Sequence, residues 1–121
     1  MKHKVWYDEK NQVVRLQVIG VYSSQEAEES GKLYKDVLEG KPYRQLIVDL
    51  SQSGEMESRE TRKITNNYLK QAEFSDVAYF GANSTRRMIA KVLMKLSSLN
   101  IFSDFFKNEE EAINWLKSRR N

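Results

Sequence analysis

Residues 46–50, Leu-Ile-Val-Asp-Leu, constrain the fold more than any other stretch. The run is too short for a helix and is apolar on both sides, Asp49 apart. A strand with apolar side chains on both faces belongs in the middle of a sheet that is covered twice. That environment is typical of parallel sheets, whose crossover connections lay helices on the faces. The question for the rest of the chain is whether it supplies those strands and crossovers.

It does, in order. Lys4–Asp8 carries Val5, Trp6 and Tyr7, and Val13–Ile19 alternates Val14, Leu16 and Val18 against Val13, Arg15 and Gln17. The polar link Glu9-Lys10-Asn11-Gln12 makes the pair an antiparallel hairpin. Gly20 to Ser24 breaks the pattern. Ser23 with Glu26 three residues on is a capping box, opening a helix from Gln25 to Glu39 that Gly40 closes. Gly31 inside this helix costs about 1 kcal/mol against Ala, and a close helix–sheet contact would account for it. Pro42 follows where a helix cannot continue. After 46–50 come a loop, a helix over Arg59–Glu73, a strand Val77–Ala82 and a helix Thr85–Leu99 with Met88, Ile89, Val92, Leu93, Leu96 and Leu99 on one face. A last short strand lies within 100–106. Asn108 then leads a helix over 109–116, with three glutamates at its start and Lys117, Arg119 and Arg120 at its end, both suited to the helix dipole. The order is β-β-α-β-α-β-α-β-α: an α/β fold with a mixed, mainly parallel five-stranded sheet and right-handed crossovers.

The chain's 121 residues, 40% of them apolar and 31% charged, make residues 1–121 one globular domain. The absence of cysteine excludes disulfides, thiolate metal sites and cysteine nucleophiles. His3, the single histidine, cannot by itself supply a His–carboxylate metal site or a Ser–His–Asp triad. No cofactor is expected. No apolar run nears the ~20 residues of a membrane span, and no apolar stretch follows Lys2 and Lys4 as a signal peptide requires, so a cytoplasmic, non-transmembrane protein is expected. Residues 1–60 hold nine Lys and Arg against eleven Asp and Glu; residues 61–121 hold eleven against six. That basic half lacks the large patch with interleaved aromatics that nucleic acid demands, so no nucleic-acid partner is expected.

The segment Asp49-Leu50-Ser51-Gln-Ser-Gly-Glu-Met-Glu57-Ser58-Arg59-Glu60 ends the central strand and enters a helix. With the strand Val77–Ala82 and the closing Phe105-Phe106-Lys-Asn-Glu-Glu-Glu-Ala-Ile-Asn-Trp-Leu116, it resembles the STAS fold of bacterial anti-sigma-factor antagonists and of the cytoplasmic domains of sulfate transporters. The closing motif is similar to that of a branch of small bacterial proteins of STAS/Sec14-related type. Antagonists show Asp-Leu-Ser, a loop, and then Asp-Ser-Ser-Gly, whose first serine is phosphorylated and whose surroundings bind an anti-sigma kinase. The resemblance implies that role for Ser58. Here Glu57 replaces the Asp, Arg59 the second Ser and Glu60 the Gly, which changes the surface a kinase would read.

Three roles stay open for Ser58: helix cap, docking contact, or phosphorylation site, where a phosphate would meet the helix dipole and Arg59 and Arg62. Asp49 reads as an acceptor for N–H groups of the following loop, ahead of an acid catalyst. Ser51, Glu57 and Arg59 complete the candidate docking set. A second set is Ser84, Arg86, Arg87, Lys91 and Lys95: a helix start that can meet an anion and a basic stripe that can meet an acidic surface, against the plain readings of a capped helix and a solvated face.

Lacking any nucleophile–base spacing, the chain reads as non-catalytic: a regulatory or protein-interaction module that docks through 49–60. The alternative is a carrier of an apolar, lipid-like or anionic, nucleotide-like small molecule between sheet and helices. Phe74, Tyr79, Phe80, Phe102, Phe105 and Phe106 would line such a space or simply pack the core. Trp6 and Tyr7 on an outer strand leave a homodimer open as well.

Overall fold

The structure, a computed structural model, describes residues 2–56, 59–81 and 95–120. Strands β1 (Lys4–Asp8) and β2 (Val13–Tyr22) form the hairpin, followed by α1 (Ser24–Leu38), β3 (Gln45–Met56), α2 (Arg59–Gln71) and β4 (Asp76–Phe80). Residues 95–98 are helical (α3), and β5 (Phe102–Phe106) and α4 (Glu109–Ser118) complete the chain. The strands lie side by side in sequence order, β1 antiparallel to β2 and the rest parallel. The mixed α/β sheet read from the sequence is the one observed.

Local signals set the helix starts. Ser23 Oγ accepts from the Glu26 N–H at 3.2 Å, and the Ser23 hydroxyl donates to the Glu26 carboxylate at 3.0 Å. Asn108 Oδ1 accepts from the Glu111 N–H at 3.0 Å. At the far end of α2, the Arg44 guanidinium donates to the carbonyls of Ala72 and Glu73, placing a cation where the helix dipole favours one.

Strand alternation divides the core in two. Val14, Leu16, Val18, Leu46, Val48 and Val77 face α1, α2 and Leu96. Val13, Ile47, Ala78 and Phe80 face Ala112, Ile113 and Leu116 of α4. The continuous apolar run 46–50 therefore does sit between two layers. Phe74 and Phe80 are buried, whereas Phe102 is 59% exposed with the Arg119 guanidinium 4.1 Å from its ring centre.

Three expectations need correction. Gly20 does not end β2: with φ +68° it absorbs a register shift, and the strand continues to Tyr22. The polar stretch after Asp49 is not a loop up to Met56. It continues β3 by pairing with the lengthened β2, Ile19 with Gln52, Gly20 with Ser53 and Tyr22 with Met56. Backbone hydrogen bonds to a neighbouring strand hold it, which no apolar pattern announces. Gly31 answers to a helix, not to the sheet: a Cβ there would lie 2.2 Å from Cγ of Tyr68 on α2.

Candidate functional site

On β3 the side chains of Leu46 and Val48 enter the α1–α2 layer, and Ile47 and, two residues on, Asp49 project to the α4 side. Helix α4 packs on β3, β4 and β5. The β1–β2 end of that face carries a groove of about 480 Å³ lined by Lys4, Trp6, Arg15, Gln17, Ile47, Asp49 and Glu109. Arg15 forms its wall: Nε donates to Asp8 at 2.8 Å, and Nη2 reaches Glu109, the first residue of α4, at 3.0 Å. Asp49 lies opposite Gln17 on β2 and Phe80 on β4.

Asp49 Oδ1 accepts from the Ser51 N–H at 2.9 Å and from the Ser51 hydroxyl at 2.6 Å. This is the bonding of a carboxylate that shapes the chain after it. The exposed Ser51 then passes against the end of β4. Gly81 has φ +79°, and a Cβ on it would lie 3.1 Å from Ser51 Cβ and 3.2 Å from its backbone nitrogen, so glycine suits that position twice over. Arg59 opens α2 and is exposed. The buried Thr61, within hydrogen-bond distance of Ser24 at 2.8 Å, fixes the starts of α2 and α1 to each other.

Asp49 thus lies where β3 parts from β4, Ser51 on the extension of β3 beyond that point, and Arg59 at the start of α2. Glu57 and Ser58 fall outside the described residues, as do Ser84, Arg86, Arg87 and Lys91. Lys95 is described: it is exposed on α3, where its carbonyl accepts from the Ser98 hydroxyl at 2.6 Å. Among the described residues, no cluster of three His, Cys, Asp or Glu side chains could hold a metal ion, and no helix is long and apolar enough to cross a membrane.

Sequence reasoning missed the hairpin's share of this face. Lys4, Trp6, Arg15 and Gln17 alternate with core residues, but nothing local says that α4 stops short of them. It also missed His3, which is 2% exposed. Its Nδ1 accepts from the Ile19 N–H at 3.0 Å, its Nε2 faces the Glu26 carboxylate, and its ring meets Tyr22 edge-on at 4.8 Å. Because Nδ1 is an acceptor, Nε2 carries the proton of the neutral ring. Burial pushes the His3 pKa below its ordinary value, against the opposing pull of Glu26. Burial would raise the Glu26 carboxyl, but the Ser23 hydroxyl, His3 and Lys2 outweigh it and hold the group below its ordinary value. Burial also pushes the neighbouring Tyr22 phenol up to about 12.

The family described as Domain of unknown function (DUF7793) matches residues 14–120, and the chain belongs to it. No curated protein matches the chain. Among solved structures, the anti-sigma factor antagonist SpoIIAA in its unphosphorylated form aligns over 95% of this chain and 97% of its own, at 13% identity and a TM-score of 0.60. An uncharacterised protein of the DUF3478 family from Shewanella loihica PV-4, with a SpoIIAA-like fold, aligns over 94% of this chain and 91% of its own, at 14% identity and a TM-score of 0.68. The fold is STAS-like, as the motifs around Asp49, Val77 and Phe105 implied.

Proposed function

We propose that this member of the DUF7793 family is a non-catalytic regulatory module that docks a protein partner through residues 49–60. One observation carries the reading: β3 continues past Asp49, its last residue paired with β4, to Met56. Among the described residues, that extension pairs with β2 alone. It presents exposed Ser51 and Gln52 beyond the carboxyl end of β4, on the side of the sheet where open α/β folds present their ligand contacts. The shared fold with an anti-sigma factor antagonist supports a protein as the partner. A carrier needs space between sheet and helices. Against it, the α1–α2 layer is filled by Tyr22, Tyr34, Leu38, Leu69, Phe74 and Val77, each at most 3% exposed.

The test is capture of cellular proteins by the immobilised wild type against Ser51→Tyr, Ser58→Ala, Ser58→Asp and Arg59→Glu, each first checked for an unchanged circular dichroism spectrum. Proteins retained by wild type and lost with Ser51→Tyr and Arg59→Glu support docking. Loss with Ser58→Asp but not Ser58→Ala adds control by phosphorylation. Retention of the same proteins by all four variants refutes the proposal.

A further inference from the structure

Among the described residues, strand β1 is an outer strand of the sheet, hydrogen-bonded to β2 alone. Such an edge is a template for another strand. Its sequence, Lys4-Val5-Trp6-Tyr7-Asp8, is self-complementary when read against itself antiparallel about Trp6. Lys4 of one copy then stands opposite Asp8 of the other, Val5 opposite Tyr7, and Trp6 opposite Trp6. Residues of opposite charge then stand opposite each other, although Asp8 also holds Arg15 at 2.8 Å and Asn11 at 2.9 Å within its own copy, and no like charges stand directly opposite. Lys4 is exposed, and Trp6, on the same face, is 41% exposed.

The other face of this edge carries a second apolar contact at the same height. Two of the exposed large apolar residues of the described chain are Trp6 and Leu33, the latter 38% exposed on α1. Leu33 follows Glu26 by two helical turns and so shares its flank of α1. Glu26 meets His3, directly before β1, while the opposite flank, with Ser24, Glu28 and Gly31, meets α2. Leu33 therefore lies on the β1 side of the helix. Seven residues of helix advance ~10.5 Å. Three residues of strand, from His3 to Trp6, advance ~10 Å. Leu33 thus sits level with Trp6, with the sheet between them.

We infer that β1 is the interface for a second copy of this chain. Two β1 strands pair antiparallel about a two-fold axis at Trp6, with Trp6 against Trp6 on one face of a ten-stranded sheet and Leu33 near Leu33 on the other. The contact is isologous: Lys4 of each copy meets Asp8 of the other. It uses none of residues 49–60, so its failure and that of partner docking are read separately.

Sedimentation equilibrium on the full chain shows a dimer, and Leu33→Glu weakens it at least tenfold. The chain has no cysteine, so single cysteines report the register. Directly opposed residues of an antiparallel pair have Cα atoms about 4.5–5.5 Å apart, within disulfide range. Trp6→Cys therefore cross-links to itself on mild oxidation. Lys4→Cys, ~13 Å from its twin, does not. A monomeric wild type, a dimer indifferent to Leu33→Glu, or cross-linking at position 4 in place of position 6 overturns the inference.

Discussion

Replacing His3 by alanine tests the account of the buried N-terminal contact, and pH makes the test specific. The substitution leaves the Ile19 N–H without its acceptor, which costs about 1–3 kcal/mol for a buried group. It also opens a cavity beside Tyr22 where the ring was, which adds on the order of 1 kcal/mol. The expected cost at pH 7.5 is therefore roughly 2–4 kcal/mol, a large share of a typical domain's stability. The wild-type ring is neutral, and its pKa in the fold lies below the ordinary value of 6.5. As pH falls through 6.5, the unfolded chain takes up a proton that the folded chain refuses. The wild type then loses stability by at most about 1.4 kcal/mol per pH unit, while His3→Ala does not lose this contribution. The difference between the two proteins should thus shrink between pH 7.5 and pH 5.5. Glu26, held below its ordinary 4.5, removes further stability only at lower pH. Urea unfolding of both proteins at the two pH values, with unchanged slopes, measures this. A gap that widens on acidification would mean that His3 is protonated in the fold and held as an ion pair by Glu26, and the neutral-ring account would be wrong.

Two further outcomes follow from packing. Gly31→Ala should destabilise the protein by about 1–3 kcal/mol despite alanine's helix propensity, because the new methyl collides with the base of the Tyr68 ring and not with a mobile tip. In a Tyr68→Ala background the same change should be neutral or stabilising, and thermal melts of the four proteins check that reversal. Asp76 accepts from Gln45 at 3.1 Å, Ser75 at 2.8 Å and Arg119 at 2.9 Å, and its side chain is 7% exposed. Asp76→Ala should cost roughly 3 kcal/mol in urea unfolding, since it removes the buried carboxylate that Arg119, Gln45 and Ser75 share.

The candidate site was legible where a residue's own segment defines it. Asp49 could be placed at the end of the apolar run, where β3 leaves β4, but the strand itself runs on to Met56. Arg59 could be placed at a helix start because the helical period begins there. The groove beside them could not be read, because it needs the hairpin residues Lys4, Trp6, Arg15 and Gln17 on one side and the reach of α4 on the other.

The sequence alone determined what short-range physics controls. Alternation in β1 and β2, the helical apolar period, the Ser23 and Asn108 caps and the left-handed Gly40 all act within a few residues. They were enough to order the elements and to imply a mixed sheet. Tertiary structure decided where strands end and what glycines and polar side chains are for. The polar stretch 51–56 is a strand because β2 runs beside it. Gly31 is small because Tyr68, thirty-seven positions on, lies across it. His3 is buried because Ile19 and Glu26 each offer it a partner. In each case the deciding energy is a contact between distant parts of the chain, and such a contact exists only once the fold has brought them together.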